Sequence, residues 1–151
     1  LRVRGAGFGS KLLNINFGLP VNRWGTNTKH FINLVRSEPD PACEEEVGYD
    51  VILTLRHNGY EDVPASAHDE NYVLSFGRVS FDLTSLVPEG ETEAKILLRW
   101  TDYGNNWGER VDKSDDGTFK LSGDQQTLTG SNRSSIHGSS LATDEFAVSA
   151  E

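Results

Sequence analysis

The feature that most constrains this chain is alternation. Apolar residues recur at every second position, in runs broken by Gly, Asn, Asp and Pro, and a period of two is that of a strand with one buried face. No stretch of ten or more residues carries the 3.6-residue period of an amphipathic helix, and neither internal repeats nor heptads occur. Leu13, Ile15 and Phe17 alternate with Asn14 and Asn16, and residues 29–36 form a second candidate strand. Val47, Tyr49, Val51, Leu53 and Leu55 make the longest alternating set. The Asn58-Gly59 pair after it tolerates the positive φ angles of a type I′ turn, so a hairpin is predicted there.

Residues 72–76 and 79–83 read as two short strands parted by a bulge or bend at Gly77. Pro88-Glu89-Gly90 marks the next turn. Ala94, Ile96, Leu98 and Trp100 share one face of the most apolar strand, and Leu97 on the other face predicts a central position covered on both sides. Residues 107–111 and 119–121 read as a hairpin across Asp116-Gly117, and residues 145–149 as the last strand. Asp40-Pro41, with acids following, suits one short helical turn. About nine short strands with at most one such turn predict an all-β sandwich or jelly roll. One domain spans residues 1–151, with residues 1–12 a basic arm or first strand and residues 123–143 a polar loop.

Composition narrows the setting. The single Cys43 excludes an internal disulfide framework, and no apolar run approaches the roughly 20 residues that cross a bilayer as a helix. The chain holds no Met and opens at Leu1 without a charged and apolar leader, which reads as a processed product or an excised segment. The expected location is extracellular, at a cell surface or in a virion.

The formal net charge of −9 argues against general binding to a phosphate backbone. Residues 1–36 hold six basic side chains and no acid, whereas residues 37–151 hold eight basic ones against all 23 acids. Such segregation predicts that the basic head, with Arg2, Arg4 and Lys11, docks on the acidic body of a neighbouring copy. The competing expectation is that the head folds back as a strand of its own chain. A basic arm holding nucleic acid inside a coat is a third, lesser reading.

The most site-like stretch is Trp100, Asp102, Tyr103, Asn105, Asn106 and Trp107, where aromatic faces would stack on sugar rings while amides and a carboxylate read hydroxyls. Against this, Trp100 is in phase with a core strand. Trp24, beside Asn22, Arg23 and Asn27, would extend such a surface if the two loops meet. Asp112, Ser114 and Asp116 space their oxygens like the start of a calcium loop with Gly117 sixth, but Gly123 stands where the bidentate Glu belongs. A solvated Asp-Gly turn is the preferred reading, and no cofactor is expected beyond that weak Ca²⁺ possibility. Asn132-Arg133-Ser134 is a glycosylation sequon of the kind ten Asn residues supply by chance.

Catalytic motifs are missing: there is no G-x-S-x-G, H-E-x-x-H, phosphate loop or C-x-x-C. His30, His57, His68 and His137 read as isolated, and Cys43 among acids reads as inert. Three functions compete. The first is a non-enzymatic structural subunit of an extracellular fibre, coat or similar assembly of copies of this chain. The second is a carbohydrate-binding module for a glycan or polysaccharide. The third is a small hydrolase or lyase, which needs His57 and His68 in one cleft. If the opening residues are an internal strand of a solitary particle, sugar recognition takes first place.

Overall fold

The computed structural model describes residues 1–24, 30–58, 64, 69–103, 110–122, 126–127, 133–134 and 144–150. Among these residues ten strands run in chain order as β1 (Arg2–Gly9), β2 (Leu12–Asn22), β3 (His30–Ser37), β4 (Val51–Asn58), β5 (Tyr72–Asp82), β6 (Glu93–Tyr103), β7 (Arg110–Lys120), β8 (Gln126–Thr127), β9 (Arg133–Ser134) and β10 (Asp144–Ala150). A four-stranded sheet, β5-β2-β1-β8, packs on a six-stranded one, β10-β3-β4-β6-β7-β9. The fold is a β-sandwich. The β4–β6 pair is parallel and the other pairs are antiparallel.

Alternation builds the core. Phe8, Leu13, Ile15, Phe17, Leu19, Val79 and Phe81 come from the smaller sheet. They meet Ile32, Leu34, Leu53, Leu55, Ala94, Ile96, Leu98, Trp100 and Phe119 of the larger one. Phe8 and Phe119 join the layers edge to face, with ring centroids 5.6 Å apart.

As expected, β6 is central and covered on both sides. Leu97 on its outer side and the paired Ile52 of β4 are buried, and on that same side the buried Cys43 of residues 38–50 lies 4.0 Å from Arg99. Glu46 and Arg99, both almost wholly buried, lock that connection to the sheet through a 2.7 Å ion pair. Tyr49 donates its hydroxyl to Asp116, and Asp50 bonds Lys95 through both its N–H and its carboxylate.

Several local expectations are corrected. Val47 and Tyr49 are not strand residues: β4 begins at Val51, and Val47 is exposed in a run of turns. The helical turn at Asp40 is instead a succession of turns, Asp40–Cys43, Cys43–Glu46 and Glu46–Tyr49, with the Asp40 side chain bonding the Ala42 N–H. The only helical element among the described residues is the 3₁₀ turn Thr84–Leu86. No β4–β5 hairpin follows Asn58, because β5 pairs with β2 in the other sheet. Nor does a hairpin form at Asp116-Gly117, which lies inside the unbroken β7. A tight β1–β2 hairpin forms instead at Ser10-Lys11, with φ of 54° and 65°, the signs of a type I′ turn made without glycine or asparagine. Gly90, at φ 85°, does close the expected turn, in which the Glu91 N–H bonds the Pro88 carbonyl.

Gly77 is no break either, since β5 runs through it. Its role is packing. A Cβ there would lie 2.8 Å from Phe17 Cζ, so the ring occupies the space a side chain would need. Gly77→Ala should push Phe17 out of place and cost about 1–3 kcal/mol, as core overpacking does. A change in urea midpoint equivalent to less than a few tenths of a kcal/mol would contradict this.

Candidate ligand-binding face

The register of the small sheet decides which residues face solvent. Asn14, Asn16 and Gly18 of β2 stand opposite Ser80, Arg78 and Phe76 of β5, out of phase with the buried set. On β1 the residues opposite Asn16, Asn14 and Leu12 are Gly5, Gly7 and Gly9, so this part of the face is bare backbone. A bulge between Val3 and Gly5 leaves Arg4 exposed, as an extra residue re-aims a side chain. Its guanidinium lies 4.3 Å from the centroid of the Phe76 ring. Phe76 is 59% exposed, and its ring leans over Gly18, where a Cβ would meet it at 3.3 Å.

These residues border an open cleft of about 560 Å³ lined by Arg4, Asn16, Phe17, Phe76, Gly77 and Arg78. Arg4 and Arg78 have no carboxylate within ion-pair distance among the described residues. The acid on the same row, Asp82, is already engaged. It accepts hydrogen bonds from the Thr84 N–H at 2.9 Å and hydroxyl at 2.7 Å. These bonds, the backbone one foremost, hold its carboxyl below the usual range, with Lys11 adding a smaller pull.

Trp24 stands just past the Asn22–Tyr72 end of the β2–β5 pair and is 76% exposed. Its backbone N–H bonds Asn22 Oδ1 at 2.9 Å and its indole N–H bonds Asn71 Oδ1 at 3.0 Å. The indole is therefore held in one orientation with most of its surface open. Four residues of strand, about 13 Å, separate Tyr72 from Phe76.

The residues singled out from the sequence fare differently. Trp100 and Asp102, each 2% exposed, belong to the interior and offer no surface to a glycan. The Asp102 carboxylate accepts the Trp100 indole N–H at 3.0 Å and the Val3 N–H at 3.3 Å, and it ion-pairs with Arg2 at 3.7 Å and Lys113 at 4.0 Å. This cluster ties β1 to β6 and β7. Tyr103 ends β6, while Asn105, Asn106 and Trp107 lie outside the described residues.

Of the basic head, Arg2 is paired within its own chain, Arg4 covers Phe76 and Lys11 sits in the β1–β2 turn. Residues 2–9 are thus a strand of their own sheet rather than a free arm. The calcium reading is also corrected. Asp112, Ser114 and Asp116 follow one another along the outer side of β7, spread over about 13 Å, and cannot converge on one ion. Asp112 accepts from the Thr101 hydroxyl and Ser114 is buried.

Nor do all histidines stand alone. His30 Nδ1 and His57 Nε2 are 2.7 Å apart with rings stacked at a 4° interplanar angle. His68 and His137 lie outside the described residues, as does Asn132 of the sequon. The face formed by Arg4, Phe76 and Arg78 was missed in the sequence. Its signal was available: with Gly77 kept in phase, Val79 and Phe81 fall on one side, leaving Tyr72, Leu74 and Phe76 on the other.

No curated protein and no solved structure matches the chain. Residues 2–111 match the family model described as the NigD-like C-terminal beta sandwich domain, a span that includes every residue of the cleft and Trp24.

Proposed function

From the premise that the chain belongs to the NigD-like C-terminal beta sandwich family, whose description states a fold and no activity, we propose that this domain is a non-enzymatic carbohydrate-binding module. Its ligand is an extracellular polysaccharide that lies along the β2–β5 strand pair. The observation carrying this reading is the pairing of exposed aromatic surface with amides. Phe76 and Trp24 are large aromatic side chains left exposed on this strand pair and just past its end, and Asn16, Asn22 and Asn71 adjoin them. Aromatic surface stacks on the C–H faces of sugar rings while amides bond hydroxyls. The function is the one expected of the Trp100 stretch, moved to a different surface.

Trp24→Ala and Phe76→Ala should each lower affinity for a retained polysaccharide about tenfold in affinity electrophoresis, since an exposed stacking contact contributes roughly 1–1.5 kcal/mol. Their melting temperatures should stay close to that of the parent, because both side chains are exposed. Unchanged mobility of both variants would remove the reading.

One observation favours a second reading, the structural subunit. Residues 38–50 carry six acids and no basic residue, and they lie against the outer side of the six-stranded sheet, across the sandwich from Arg4 and Arg78. Opposed charges on opposite faces suit head-to-tail stacking of copies.

A further inference from the structure

We propose that the cleft between Arg4, Asn16, Phe76 and Arg78 selects an acidic sugar, taking the carboxylate of a hexuronate residue within the polysaccharide. This rests on the carbohydrate-binding reading and names its ligand class.

Two guanidinium groups line a cleft on a domain of net charge −9, and neither has a carboxylate partner among the described residues. The acid on that row, Asp82, is held by Thr84. Arg4 is stacked on Phe76 at 4.3 Å, and a stacked guanidinium keeps its edge N–H groups available for the two oxygens of a carboxylate. The exposed part of the Phe76 ring supplies the apolar surface that a pyranose C–H face covers, and the Asn16 amide suits a hydroxyl.

Net negative charge does not forbid an anionic ligand here. The six acids of residues 38–50 lie beyond the six-stranded sheet. Sheets pack about 10 Å apart, so that cluster is more than one Debye length, about 8 Å in physiological salt, from the cleft. Dimensions favour a sugar over a protein partner: six residues line the cleft, whereas a stable protein interface engages roughly 20–30 residues a side.

Calorimetric titration of the whole chain with polygalacturonate, with its carboxyl-reduced neutral form and with dextran sulfate tests the assignment. Expected is binding to polygalacturonate that weakens about tenfold or more on carboxyl reduction, and by a similar factor in the Arg4→Gln/Arg78→Gln double variant. Arg4→Lys should restore only part, because an ammonium lacks the planar fork. Equal affinity for the acidic and reduced chains would overturn the uronate assignment and leave the carbohydrate-binding module standing. Binding to neither would overturn both. Tighter binding to dextran sulfate than to polygalacturonate would overturn carboxylate selection in favour of sulfate esters. Light scattering on the same samples completes the test. A particle mass that grows with protein concentration at low salt, and falls in the double variant, would give the cleft to a second copy of this chain and overturn the proposal.

Discussion

Replacing Glu46 with alanine should destabilise the domain by about 3–5 kcal/mol, the usual cost of removing one partner from a buried ion pair. Glu46 is 1% exposed and Arg99 4%. One Glu46 oxygen meets Arg99 at 2.7 Å and the other accepts the Asp40 N–H at 2.9 Å. Alanine would strand a guanidinium beneath residues 38–50 and release the turn that begins at Asp40. Glu45 lies 3.8 Å from Arg99 but is 42% exposed in its side chain, so it compensates only in part. Against a total stability of about 5–15 kcal/mol, this is a large fraction. The double variant Arg99→Met/Glu46→Leu should recover most of the loss, because an apolar pair of similar volume removes both buried charges. Urea unfolding followed by tryptophan fluorescence reads both effects. A loss under 1 kcal/mol in Glu46→Ala would show that Glu45 moves in to replace its neighbour.

Trp100→Ala is the second large effect, at about 3–5 kcal/mol for a buried aromatic truncated to a methyl group. It should also unsettle Asp102, whose carboxylate loses the indole donor at 3.0 Å while Arg2 and Lys113 still crowd it. Trp100→Phe separates the two contributions. It keeps most of the ring volume and removes the N–H, so it should cost about 1–3 kcal/mol. If Trp100 belongs to the core rather than to a sugar platform, the folded Phe variant retains full polysaccharide affinity. A folded Trp100→Phe protein that has lost binding would move the ligand site back toward the end of β6.

The contrast between Trp100 and Trp24 shows how far the sequence carried the site. Both tryptophans have Asn or Asp close by in the chain. Trp100 continues the phase of Ala94, Ile96 and Leu98 and is buried with them. Trp24 follows the end of β2 and is exposed. Phase identified the first as core, although its neighbours had made it the leading ligand candidate. Phe76 was harder to see, because Gly77 read as a break. Its exposure depends on β5 pairing with β2 on one side and having no sheet partner on the other among the described residues.

Turn chemistry misled for a related reason. Asp116-Gly117 carries the letters of a hairpin, yet β7 runs through it against β6, from Arg110 opposite Tyr103 to Lys120 opposite Glu93. Ser10-Lys11 lacks those letters and still turns tightly. Local propensities of a few tenths to about 1 kcal/mol yield to the pairing of whole strands.

The amino-acid order alone settled the class of this protein: period-two alternation without helical periodicity leaves two facing sheets as the way to hide one side of every strand. It also identified Ala94, Ile96, Leu98 and Trp100 as one buried row, because side-chain phase along a strand is a local property. Only the folded molecule decided that the basic head is a strand of its own sheet, that Arg2 answers Asp102, and that Arg4 meets Phe76. The two side-chain contacts join residues 100 and 72 positions apart in the chain. Which strands become neighbours is chosen by the burial free energy of the whole sandwich, and no short stretch of sequence contains that sum.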